Sequence, residues 1–95
     1  HDKSFNKDLI FKVQIAASPI AEEKEALGDY SVTFYQDGSL YKYTVGNEIT
    51  LEKAKELQSF ARENGYKDAF LIAFWKGEKM SVSKALEQQK KEKNE

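Results

Sequence analysis

Tyr30-Ser31-Val32-Thr33-Phe34-Tyr35-Gln36-Asp37-Gly38-Ser39-Leu40-Tyr41-Lys42-Tyr43-Thr44-Val45 reads as two strands around a glycine turn, and the fold follows from how they pair. Asp37-Gly38 suits a two-residue type I′ turn, because glycine adopts the positive φ such a turn demands. Strands 30–36 and 39–45 then stand in a fixed register. Phe34 faces Tyr41, Val32 faces Tyr43 and Tyr30 faces Val45 on one side of the sheet. On the other side Tyr35 faces Leu40, Thr33 faces Lys42 and Ser31 faces Thr44. One face is apolar and aromatic and the other mixed and polar. A one-residue slip would scramble that separation.

Upstream, residues 9–16 alternate, with Phe11, Val13 and Ile15 on one side and Lys12, Gln14 and Ala16 on the other. Period-two alternation predicts a half-buried strand. Between this strand and the hairpin, Ser18-Pro19 is a helix-start signal: a hydroxyl cap followed by proline at the first helical position. The predicted short helix places Ile20 and Leu27 on one face and ends at Gly28.

Downstream, Gly46-Asn47 breaks the strand and Thr50 caps a second helix with Glu52 in its first turn. Ala54, Leu57 and Ala61, joined by Leu51 and Phe60, form one apolar stripe, and Asn64-Gly65 stops the helix. Residues 69–75 (Ala-Phe-Leu-Ile-Ala-Phe-Trp) are apolar throughout, which predicts a strand covered on both faces. Lys76-Gly77-Glu78 turns. Ser83 is the expected cap of a last short helix with Val82, Ala85, Leu86 and Gln89 on one side.

The resulting fold is α+β. Its order is βαββαβ: a four-stranded antiparallel sheet with two helices on one face, ferredoxin- or RNP-like, followed by a short C-terminal helix. Residues 1–8 form a polar segment expected to be disordered or tag-proximal, residues 9–89 the single domain, and residues 90–95 a charged, solvated tail. The opening at His1 suggests a fragment of a longer, exported protein. In this layout the first and third strands are central, and Gln14, Lys42 and Thr44 lie together opposite the helices.

The net charge of −1 lacks the basic excess with which small nucleic-acid binders meet phosphates. Without cysteine there is no disulfide framework, thiol nucleophile or thiolate metal site. One terminal histidine, the absence of a Gly-rich phosphate loop and acidic residues scattered over helix faces leave no catalytic constellation and no metal site. The expectation is a non-enzyme without cofactor. No apolar run approaches the ~20 residues that span a bilayer.

The polar sheet face remains as a site. Gln14 offers donor and acceptor, Lys42, Thr33, Thr44 and Ser31 add hydrogen-bonding groups, and Tyr35 and Leu40 add flat surface for a sugar ring. Tyr41 and Tyr43 could stack RNA bases on such a sheet. The hairpin register assigns them instead to the core side with Phe34 and Val32.

Several segments in order resemble the SPOR (sporulation-related repeat) family, in the variant common in Bacteroidetes. Residues 11–17 (Phe-Lys-Val-Gln-Ile-Ala-Ala) resemble its opening aromatic-x-Val-Gln-Ile-Gly-x strand. Residues 40–46 (Leu-Tyr-Lys-Tyr-Thr-Val-Gly) resemble its Tyr-Arg-Tyr-Thr-Val-Gly third strand. Thr50 to Ala54, residues 65–70 (Gly-Tyr-Lys-Asp-Ala-Phe) and residues 76–79 (Lys-Gly-Glu-Lys) resemble its second helix, last strand and following turn. Ala16 stands where the family usually has Gly, and Lys42 where it more often has Arg.

The resemblance implies a βαββαβ domain in the periplasm or cell envelope that binds peptidoglycan glycan strands and targets a larger protein to the cell wall or division site. It assigns Gln14 and Lys42 to the binding surface. The competing expectation is a protein-interaction or structural module of the same fold that binds no glycan. Covering of the sheet face by the C-terminal helix would favour it.

Overall fold

The computed structural model describes residues 8–93. Five strands, β1 (Leu9–Ser18), β2 (Val32–Asp37), β3 (Leu40–Glu48), β4 (Phe70–Trp75) and β5 (Glu78–Met80), form one antiparallel sheet in the order β2-β3-β1-β4-β5. Helices α1 (Leu51–Glu63) and α2 (Val82–Lys93) complete it. The first four strands have the neighbours expected from the sequence. The four-stranded sheet and the βαββαβ order do not hold: β5 extends the sheet beyond β4, and residues 19–31 cross from β1 to β2 without forming a helix.

The lost helix has a local cause. Of the residues that would face the core, only Leu27 is buried, while Ile20 is 68% exposed. Two apolar residues seven apart, with Glu23 and Lys24 in the intervening positions of the stripe, cover too little area to offset the cost of nucleating a helix. The start signal serves another turn: the Ser18 hydroxyl accepts from the Ile20 N–H at 3.2 Å. Leu27 and Tyr30 close a tight reversal through two backbone hydrogen bonds of 2.8 and 2.9 Å.

Both helices nevertheless pack on one face of the sheet, because the C-terminal helix takes the second place. Leu9, Phe11, Ala54, Ala73 and Ala85 form one buried cluster that joins β1 and β4 to both helices, with Val82 and Leu86 of α2 packed against it. A second cluster, Val13, Leu27, Val45, Leu57, Ala61 and Ala69, lies under α1 and the crossing segment. Burying a side chain such as Phe11 or Leu9 contributes about 1.5–3 kcal/mol, so the first half of β1 is a main support of the fold.

α1 follows its sequence signals. The Thr50 hydroxyl accepts from the Lys53 N–H at 3.2 Å, Asn64 is the C-cap, and Ala54, Leu57 and Ala61 are its buried residues. For α2 the cap is Ser81 rather than Ser83: its hydroxyl accepts from the Lys84 N–H and its carbonyl from the Ala85 N–H.

The hairpin is shifted. Asp37 pairs with Leu40, so the turn residues are Gly38-Ser39, and Val32 faces Val45, Thr33 faces Thr44, Phe34 faces Tyr43 and Tyr35 faces Lys42. Gly38 has φ of 63° and Ser39 is not in the positive region. That is the type II′ pattern, with glycine first, rather than type I′. Each partner therefore moves by two residues. A shift of two preserves the faces, so the separation of apolar from polar residues survives the wrong turn.

Two irregularities bend the centre of the sheet. Between β1 and β3 the register slips once between Phe11 and Val13 and again between Gln14 and Ala16. The second slip turns Ala16 to the side of Tyr43, away from Gln14. Bulges of this kind increase twist and curl the strands that carry them.

Candidate functional site

The polar face opposite the helices is formed by Ile10, Lys12 and Gln14 of β1, Lys42 and Thr44 of β3, Thr33 and Tyr35 of β2, Phe70, Ile72 and Phe74 of β4, and Lys79 of β5. It is not flat. In a flat sheet β2 and β4, separated by β3 and β1, would lie about 14 Å apart. Here the Tyr35 and Phe74 rings meet edge to face with centroids 5.4 Å apart, and the Asp37 carboxylate lies 4.0 Å from Lys79 Nζ on the opposite edge strand. The sheet curls into a trough whose two rims touch through their side chains.

Gln14 and Thr44 form the floor. They are 7% and 1% exposed, so both are buried rather than displayed as the sequence reading expected. The Tyr35 Oη–H donates to Gln14 Oε1 at 3.0 Å, and the Thr33 and Thr44 hydroxyls share a hydrogen bond of 3.2 Å. Burial of these polar groups is tolerated because they are paired.

Lys42 shares the face and donates to Asp37 Oδ2 at 2.6 Å. This bond and the lysine charge hold the Asp37 carboxyl below its ordinary value, and the same bond raises Lys42. Leu40 lies beside the turn at the end of the face, exposed and opposite Asp37. Of the six residues assigned from sequence, Gln14 and Thr44 form the floor and are bonded to Tyr35 and Thr33 of the edge strand, Lys42 stands beside Thr44 on β3, and Leu40 is peripheral.

The sequence reading missed the contribution of the last strands. Phe70 pairs with Gln14, so its ring lies on the trough face, and it is 46% exposed. It borders a cleft of about 540 Å³ at the β4 edge, lined by Ile72 and Lys79 from the trough side, by Leu71, Met80 and Val82 from the helix side, and by Ser81 and Ser83. Lys79 Nζ lies 5.7 Å from the centre of the Tyr35 ring, and Lys12 Nζ 5.9 Å from that of Phe74. Lys12 also donates to Asn47 Oδ1 at 2.6 Å, and burial lowers its pKa.

An apolar run hides which of its residues face a groove. Alternation within the run was the available signal: Phe70, Ile72 and Phe74 share parity. The expected cover on both sides holds only in part: helices cover one side and Tyr35 meets Phe74 on the other, but Phe70 stays exposed at the start of the strand.

The helix-side aromatics divide. Tyr43 is buried, its hydroxyl accepting from the Glu22 N–H at 2.6 Å, which fixes the crossing segment over β3. Phe34, expected in the core, is 55% exposed because that segment does not extend over it as a helix would. A buried Tyr43 is not available to stack on a base.

The C-terminal helix does not cover the trough, since α2 packs with α1 on the other face. Among the described residues no group of three or more His, Cys, Asp or Glu side chains could hold a metal ion, and no helix is long and apolar enough to cross a membrane.

The architecture is thus a small α+β domain: a curled, five-stranded antiparallel sheet backed by two helices, with a polar and aromatic trough on its free face. No protein-family model, curated protein or solved structure matches the chain.

Proposed function

We propose that the domain is a non-catalytic module that binds peptidoglycan glycan strands in this trough and so targets a larger protein to the bacterial cell wall in the periplasm or at the division site. The SPOR-like segments motivate the reading, and one structural observation carries it. A half-exposed Phe70 ring stands on the free face of the sheet beside the Gln14–Tyr35 pair and opens onto the cleft along Lys79 and Ser81.

Sugar rings present an apolar C–H face that stacks on aromatics, while their hydroxyl, amide and carboxylate groups pair with lysine and serine. A cleft of this size lies within the range of small-ligand sites. In this reading Phe70 and Lys79 touch the glycan, Lys42 and Lys12 supply positive charge within the trough, and Gln14 and Thr44, with Thr33 bonded to Thr44, hold the floor.

Co-sedimentation with purified sacculi tests it. The chain should pellet with sacculi, and Phe70→Ala, which removes a half-exposed ring, should fold normally and lose at least about tenfold in affinity. Undiminished binding by folded Phe70→Ala places the site elsewhere.

A second reading, a protein-interaction or structural module without glycan affinity, is favoured by the self-pairing of the floor, where Tyr35 already occupies Gln14. Sacculus binding no better than that of an inert protein of equal charge decides for it.

A further inference from the structure

Tyr35 spans the trough. It springs from the edge strand, passes over the β3 row that carries Thr44, and ends on Gln14 of β1 and Phe74 of β4. Its hydroxyl is the partner of Gln14 Oε1, and its ring covers part of the aromatic surface of Phe74. Among the described residues it is the only side chain hydrogen-bonded to the Gln14 amide. The strand it rides on is paired with β3 along its length, but among the described residues it reaches across the trough to the far edge only through Tyr35 itself and the Asp37 corner, where Asp37 meets Lys42 and Lys79. The neighbours of Tyr35 on the same face of β2, Thr33 and Asp37, are exposed.

We propose that Tyr35 is an internal stand-in for the ligand: it occupies the centre of the trough in the free protein, and a sugar reaches Gln14 only when Tyr35 swings aside. The inference rests on the glycan reading of the same site and adds a gate to it. Three features give it physical content. The Tyr35 bond to Gln14 reproduces what a sugar hydroxyl would make. The ring packs against Phe74 at a centroid distance of 5.4 Å, so its departure uncovers aromatic surface for a sugar. The sugar replaces in kind what Tyr35 gives up, a hydrogen bond to Gln14 and a ring contact on Phe74, so the bound state offsets the cost of opening.

A closed majority state lowers apparent affinity by the fraction of molecules that are open, and a variant that favours the open state recovers it. Phe70 lies outside the gate, at the mouth beside Gln14. The order of events is therefore docking at Phe70 followed by displacement of Tyr35.

The test uses peptide-free glycan strands released from purified sacculi by amidase, titrated against the wild-type chain, Tyr35→Phe and Tyr35→Ala. Tyr35→Phe keeps the ring and loses the bond to Gln14, and should bind about twofold to tenfold tighter, the range expected from one net hydrogen bond. Tyr35→Ala clears the trough and should associate faster than wild type.

In the wild-type protein, saturating glycan should shift the Gln14 side-chain amide and Tyr35 ring resonances together in NMR spectra. Wild-type binding with equal or weaker binding by both folded variants overturns the gate while leaving the glycan reading intact: Tyr35 would then be an ordinary contact. An unshifted Tyr35 ring at saturation overturns it likewise. If wild type and both variants fold and none binds, the glycan reading fails and takes the gate with it. Binding by the variants alone supports the gate in its tightest form.

Discussion

The two faces of this sheet are both covered, but by different means. The helix face is sealed by apolar clusters contributed by α1, α2 and Leu27, with Phe11, Val13, Val45 and Ala73 wholly buried beneath them. The trough face buries Gln14 and Thr44 almost as deeply with nothing laid over it but side chains from its own far strands. Apolar burial is non-directional and scales with area, whereas a hydrogen-bonded cover stands or falls with individual partners. The first kind makes a core. The second makes a surface that can be reopened.

The largest test of that contrast is Phe11→Ala. It opens a cavity where β1 meets both helices, and should cost about 3–5 kcal/mol in denaturant unfolding. For a domain of this size that is a large fraction of total stability. On the trough side, Tyr35→Phe removes one bond and keeps the ring, and should cost about 0.5–1.5 kcal/mol by the same measurement. If the two losses were equal, the trough would be as integral to the core as the helix face and the proposed gate would have no basis.

The smallest effect concerns the Asp37 corner. The Lys42 hydrogen bond and charge lower the Asp37 pKa below its ordinary 3.8. Its contribution is therefore complete above that value and is lost as pH falls through the depressed one. The gap in melting temperature between wild type and Asp37→Asn should be constant near neutrality and close below about pH 4. A gap that persists unchanged in acid would show that the ionised carboxylate contributes nothing to holding the rim.

Much of the site was legible from alternation. Residue parity in the strands assigned Gln14, Lys42, Thr44, Thr33 and Tyr35 to one face, and the register error of the hairpin left that assignment intact because it moved partners by two. Ala16 was misassigned because a bulge changes parity without leaving a mark in composition. β5 was missed because three residues are too few to show a period, although Lys76 and Gly77, both at positive φ, form the tight turn before it. The helix expected after Ser18 had a start signal and a stop signal but no apolar stripe between them. A cap satisfies a helix end; it does not supply a face to bury.

The amino-acid order alone determined that β1 to β4 exist, which side most of their residues take, and that α1 runs from the Thr50 cap to Asn64, because these depend on local periodicity and capping chemistry. Whether the polar face lies open or closed was decided only in three dimensions. Two bulges in the central pair, set between residues that read as regular alternation, curl the sheet until its edges meet. That curvature converts a row of polar residues from a platform into the buried floor of a trough. Curvature belongs to the whole sheet, and no single strand's sequence contains it.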